Sequence, residues 1–336
     1  MLLQGMLFLA IMALTLYAVF HGQNLEETGK ALFAMKKSYV ALSVAAAILF
    51  VSLEGTMIWY LLDALGQKNH LLRCVSYSFI GFFYSGITPS ATGGQPMQLY
   101  YMKKDGNSIS ESTVVLMTVA VIYKFVLVVT GLVTFLFGGH MLKEYMKGYL
   151  GLFFLGMFLN VVLVVFLVLI MWKPVFMEKC YLGLEKLLLK LKIFKPSSTR
   201  IEKVHEFIEK YQSAVSFFGS HKAKIVAVVM LTFVQRGSMF VLTYFIYRGF
   251  GLTGVNPMVI IALQAAVYVA VDMLPVPGAQ GITELVYSSI FLGIFTQKYL
   301  MPSMLITRGI NFYFLLLVSA SIVVINLFAG NRKNKC

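Results

Sequence analysis

Six ionisable side chains sit inside apolar runs of this chain: Glu54, Lys124, Arg236, Asp272, Glu284 and Arg308. An ionised group at the centre of a membrane helix costs about 2.5 to 3.5 kcal/mol on insertion scales, so such residues mark substrate or ion pathways. Lys124, Arg236 and Arg308 suit a lipid phosphate, the arginines through bidentate contact. Glu54, Asp272 and Glu284 can balance those cations, recognise a cationic headgroup or take a coupling proton. For any one of the six a structural ion pair is the plainer reading. Together, with both signs near two helix breaks, they favour a polar cavity.

The breaks are legible as composition. Residues 76–102 form a hydrophobic run whose middle reads ITPSATGGQPMQLYY, with Thr88, Pro89, Thr92, Gly93, Gly94, Gln95 and Gln98 as its candidate binding residues. A simple kink needs one proline, whereas this cluster of proline, glycine and polar groups must unwind the helix. Unwound backbone cannot face lipid, because each unpaired N–H or C=O costs several kcal/mol there, so it must be buried in protein or line a wet cavity. A second break, LPVPGAQGITELVY, contains Pro275, Pro277, Gly278, Gly281 and Glu284. Aligning Pro275 with Pro89, an offset of 186, brings Glu284 onto Gln98 and Tyr287 onto Tyr101. Paired Pro/Gly-interrupted segments in corresponding halves point to a transporter's binding site. Half-helix N-termini beyond Gly94 and Gly281 would add backbone N–H groups for an anion.

The elements that hold these residues are hydrophobic spans. The chain is 59% hydrophobic and 12% charged, with a mean hydropathy of +0.81. The expected fold is an all-α polytopic membrane protein forming one integral domain over 1–336. Its six full transmembrane helices are expected at Leu2 to Phe20, Ser38 to Leu62, Thr113 to Phe137, Leu150 to Trp172, Ile225 to Tyr247 and Met304 to Phe328. Each is near the length a bilayer requires. The first lacks the basic start and small-residue cleavage site of a signal peptide and reads as a retained helix. Residues 1–172 form a first half with the broken segment 76–102, and 225–336 a second half with the broken segment 257–295. Between them, 173–224 is a basic connector whose leucines and lysines alternate at helical spacing in CYLGLEKLLLKLKIF. Such a helix lies on an anionic lipid surface, though a plain cytoplasmic linker fits as well.

The positive-inside rule orients the chain. With 173–224 and the basic tail inside, a single crossing by 257–295 would put that tail outside. A re-entrant hairpin removes the conflict. The same reading of 76–102 places Lys68, Arg73, Lys103 and Lys104 inside, so the two hairpins dip from opposite faces as an inverted-topology repeat. Both termini are then cytoplasmic, at the expense of leaving Lys30, Lys36 and Lys37 outside.

Other chemistries lack their residues. The net charge of +14 comes from lysines and arginines clustered between apolar runs, which is the signature of cytoplasmic loops and not of a nucleic-acid surface. All five histidines lie in connectors, and Cys74, Cys180 and Cys336 are isolated. Neither a metal site, nor a cofactor, nor a catalytic triad is expected, and no Walker motif points to ATP.

The combination of TPSATGGQP, LPVPGAQGITE and TRGINFY within about eight hydrophobic segments resembles the flippase-like membrane domain of the lysylphosphatidylglycerol synthase (multiple peptide resistance factor) family over essentially the whole chain. The resemblance implies a bacterial inner-membrane protein of antimicrobial peptide resistance that moves an aminoacylated or related phospholipid between leaflets. Family members that aminoacylate carry a soluble transferase domain after the membrane part; this chain stops at Cys336 and is expected to lack it. Gly278, Ala279 and Gln280 depart from the family's consecutive glycines. Lipid translocation is the leading expectation. The alternatives are a membrane-embedded lysyltransferase working with a separate soluble partner, and a secondary transporter of a small polar solute. A homo-oligomer stays open.

Overall fold

The computed structural model describes residues 25–88, 91–172, 198–274, 276, 279 and 281–333. The expected span Leu2 to Phe20, the lysine- and leucine-rich stretch 180–194, and Pro89, Pro275, Pro277 and Gly278 lie outside the described residues. Every regular element among those described is helical. In chain order they are α1 (Leu25–Ala34), α2 (Lys37–Ala64), α3 (Leu71–Ile87), α4 (Gly94–Lys104), α5 (Ile109–Tyr145), α6 (Leu150–Trp172), α7 (Ser198–Ser220), α8 (Lys222–Gly249), α9 (Pro257–Val271), α10 (Ile282–Arg308) and α11 (Leu315–Lys333). A π-helical turn, Gly309–Phe314, joins the last two.

Among the described residues, five helical stretches are long and apolar enough to cross a membrane: Lys37–Ala64, Ile109–Tyr145, Leu150–Met171, Lys222–Gly249 and Ile282–Leu327. They overlap the last five of the six expected spans: three run past both expected ends, Leu150–Met171 matches its span to within a residue, and the last begins at Ile282 instead of Met304. Gly138 and Gly139 do not end α5; the helix bends at Gly138, where φ is −122° and ψ 19°, and continues to Tyr145. The first broken segment begins earlier than expected, at Leu71, and its helix stops at Ile87.

The last of the five stretches is not a rod. Thr296, at φ 57° and ψ 160°, hinges α10 into arms 282–295 and 297–308. The arms fold back on each other: Tyr287 Oη donates to Ser303 Oγ at 3.2 Å, and Arg308 Nε meets Glu284 Oε1 at 2.7 Å. On a straight helix, residues 24 apart would be separated by about 36 Å. The expected loop Thr296 to Ser303 is therefore a single-residue hinge, and Pro302 lies inside the second arm.

At the centre α2 packs along α8. Ala47, Phe50, Val51, Met57, Ile58 and Leu61 of α2 are buried, as are Gln235, Arg236, Met239, Leu242, Thr243 and Ile246 of α8. These positions recur at three- and four-residue steps, so each helix turns one face inward. Glu54 falls on that inward face. Small residues set the closest approaches, as membrane helix packing requires. A Cβ on Gly55 would lie 2.4 Å from Val75 Cα in α3, backbone that cannot swing aside. Gly55→Ala is expected to cost about 1–3 kcal/mol, read as a lower thermal midpoint in detergent.

The order of elements recurs. Helices start at Lys37, Leu71, Gly94 and Ile109 in the first half and at Lys222, Pro257 and Ile282 in the second, where the fourth counterpart begins after the Thr296 hinge. The connector does more than link the halves, because α7 buries Tyr211, Ala214 and Phe218 and packs against α5.

Candidate functional site

Both breaks open on one cavity of about 590 Å³, within the size range of small-molecule pockets. Thr92, Gln95 and Gln98 line it from the first break; Asp272, Met273, Val276, Ala279 and Thr283 line it from the second. Glu54, Lys124 and Arg308 complete its charged wall.

The first break is closed by its own side chains. Thr88 Oγ1 donates to the Tyr84 carbonyl at 2.6 Å and accepts from Gly93 N–H at 2.9 Å. Gly93 caps α4, and a Cβ on Gly94 would lie 2.1 Å from Ser85 Oγ and 2.8 Å from the Gly81 carbonyl, so α4 presses on α3. Thr88, Gly93 and Gly94 thus shape the break and do not line the cavity. Gln98 is buried and its Nε2 donates to Glu54 Oε1 at 2.7 Å.

The second break repeats this design in a register different from the one expected. Gly93 caps α4 and Gly281 caps α10, while Ala91 and Ala279 both hold positive φ, at 55° and 48°. Both pairs are 188 residues apart, which aligns PSATG with PGAQG and places Pro277, not Pro275, opposite Pro89. The expected partnership of Gln98 with Glu284 does not hold in that register. Glu284 instead caps the helix start, its Oε2 accepting from Gly281 N–H at 2.8 Å while its Oε1 holds Arg308. One N–H expected to await an anion is already occupied. Glu284 stands behind the cavity and positions Arg308, which also lies 4.9 Å from the Phe312 ring centroid.

Asp272 joins two cations. Lys124 Nζ contacts its Oδ2, and Arg236 Nη2 lies 3.8 Å from its Oδ1. Arg236 is only 1% exposed and is absent from the lining; its guanidinium lies 3.2 Å from the centroid of the Tyr123 ring, a cation–π contact that strengthens without water. None of its three nitrogens has a hydrogen-bond partner. The acids therefore differ: Asp272 and Glu284 face intramolecular cations, whereas Glu54 is held by an amide.

Sequence reasoning missed several lining groups. Gln264 accepts from Thr243 at 2.9 Å, and Asn311 donates to Tyr268 Oη at 3.4 Å; all but Thr243 line the cavity. Gln264 and Asn311 are amides inside apolar runs, the same signal that marked the charges. A second polar cluster lies at the ends of the first broken segment. Arg73 grips Asp105 through Nε at 2.5 Å and Nη2 at 2.9 Å, Tyr77 Oη donates to Asp105 at 2.5 Å, and Arg73 reaches Asn326 of α11.

Comparison with known proteins agrees with this architecture. A UPF0104 membrane protein of Pyrococcus horikoshii is 26% identical over 266 residues, covering 76% of this chain and 77% of that protein. The family model described as the lysylphosphatidylglycerol synthase TM region matches residues 4–319. With nearly its whole length accounted for, and both breaks inside the match, the chain belongs to the family of the lysylphosphatidylglycerol synthase TM region.

Proposed function

We propose that this protein translocates a phospholipid between leaflets, its headgroup crossing through the cavity while the acyl chains stay in the bilayer. The observation that carries the reading is the cavity itself: both helix breaks line it, together with side chains of both charges. Arg308 and Lys124 suit the phosphate oxygens, and Glu54 suits an ammonium such as an aminoacyl group carries. Arm lengths support hairpins that enter and return. At 11 residues α4 is about 16 Å long, and the arm 282–295 is about 21 Å, both short of the roughly 30 Å hydrocarbon core. Breaks at the inner ends of such arms sit near mid-membrane, where transporter sites lie. The recurring helix order and the two left-handed alanines support an inverted-topology repeat with cytoplasmic termini. On that arrangement a cysteine at Lys103 is expected to resist a membrane-impermeant thiol reagent applied to intact cells, and one at Lys298 to react; the reverse pattern would overturn it.

The test is reconstitution. Vesicles with purified protein are expected to exchange tail-labelled phosphatidylglycerol or its lysylated form between leaflets without a new covalent product. Exchange no faster than in protein-free vesicles would refute translocation. The family's description as the membrane region of a synthase favours one second reading, a lipid-modifying enzyme with a separate soluble partner. Lipid lysylation on adding charged tRNA and that partner would support it.

A further inference from the structure

Of the three acids in or behind the cavity wall, one can be discharged without breaking a buried ion pair. Protonating Asp272 would leave Lys124 and Arg236 facing a neutral group, and protonating Glu284 would do the same to Arg308. Breaking a buried ion pair in this way costs about 3–5 kcal/mol. Glu54 differs in its partner, because Gln98 holds it through an amide at 2.7 Å. An amide carries both a donor and an acceptor, so by rotating it can donate to a carboxylate or accept from a carboxylic acid. The pair is satisfied in either state.

Its position gives the change a consequence. Glu54 belongs to α2, on the central α2–α8 pair, whereas Gln98 belongs to α4, the arm beyond the first break. Gln98 is wedged against Gly81 of α3, where a Cβ would lie 2.4 Å from Nε2. The close packing leaves Gln98 little freedom other than turning its amide, so the proton's arrival alters the hydrogen bond that ties the arm to α2. The groups acting on Glu54 from the packed elements are Gln98 on α4, Tyr123 on α5 and Arg236 on α8; Lys124 on α5 and Asp272, just past α9, share the cavity with it. Arg236 acts on Glu54 through space but makes its ion pair with Asp272. Lys124 likewise contacts Asp272.

We infer that Glu54 is a proton-binding site whose occupancy sets the link between α2 and α4, making leaflet exchange proton-coupled. The proton arrives from cavity water onto a Glu54 oxygen, neutralises the carboxylate, and leaves by the same atom to water once the cavity faces the other side. No electron or other group moves. The coupling rests on the translocase reading; the proton site itself does not.

Two measurements on the full chain separate them. Infrared difference spectra of protein in lipid nanodiscs, taken over a pH titration, are expected to show a protonated-carboxyl carbonyl band. That band should vanish in Glu54→Gln and persist in the double variant Glu284→Leu with Arg308→Met, which removes the Glu284–Arg308 pair without leaving one charge buried. In vesicles, exchange of tail-labelled phosphatidylglycerol is expected to vary with pH in the wild type and to lose that dependence in Glu54→Gln, which mimics the discharged state. A band unaffected by Glu54→Gln, or exchange equally pH-dependent with and without it, would overturn the proposal. A band lost in Glu54→Gln, in a protein that exchanges no lipid at any pH, would uphold the proton site and remove the translocase reading.

Discussion

Asp272→Ala is expected to destabilise the protein by about 3–5 kcal/mol, the cost of breaking a buried ion pair from one side. The reason is that one carboxylate serves two cations with different escapes. Lys124 keeps 17% of its side-chain surface and lines the cavity, so its ammonium can turn to water there. Arg236, with 1% of its side chain exposed, has none. Stacking on Tyr123 returns about 2 kcal/mol for a desolvated cation, less than the ion pair and solvation together. The measurement is the thermal midpoint in detergent, with Asp272→Glu expected to recover part of the loss. An unchanged midpoint in Asp272→Ala would mean that Glu54 can turn to Arg236 and take over as its counter-ion.

Glu284 and Arg308 make the second large effect and separate stability from transport. Glu284→Ala breaks the buried ion pair and leaves Gly281 N–H uncapped; Arg308→Ala breaks the same pair from the other side. Each is expected to lose about 3–5 kcal/mol, and with it leaflet exchange. Replacing both at once, Glu284→Leu with Arg308→Met, removes the charges together. Exchanging a buried pair for apolar residues of similar volume is often neutral or stabilising, so the double variant should fold within the about 1 kcal/mol set by the lost cap. It should nevertheless exchange no lipid. Wild-type exchange in the folded double variant would make Arg308 a structural residue and take it out of the headgroup site.

The charged residues were legible because membrane helices rarely carry them without use, and the breaks because prolines and glycines cluster there. Which charge meets which was not. Lys124 and Asp272 are 148 residues apart, and only folding shows that, among the described residues, Asp272 serves two cations while Glu54 is held by the amide of Gln98. The Thr296 hinge was illegible for a different reason. Neither glycine nor proline stands at that position, so hydropathy read a loop where the chain turns on one residue. In LPVPGAQG two prolines stand two residues apart, and either can be set against Pro89; the cap glycines and left-handed alanines decide for Pro277. Gly138 and Gly139 read as a stop, yet the helix carries on, since glycine bends a membrane helix without ending it. Arg236 was expected in the binding set but lies behind the wall, because its neighbour Tyr123 covers it, a relation between helices that no single helix displays.

Ala91 and Ala279 bear on how evenly the two halves are tuned. A non-glycine residue in the left-handed region costs about 1–2 kcal/mol, and here each half carries one such load just before its arm. On the proposed inverted repeat, equal preloads would cancel between the two ends, and backbone tension would favour neither side of the membrane. Relieving one alone, with glycine at Ala91 or at Ala279, would on that proposal act as a thumb on the scale: the protein would still fold, but it would rest facing one side.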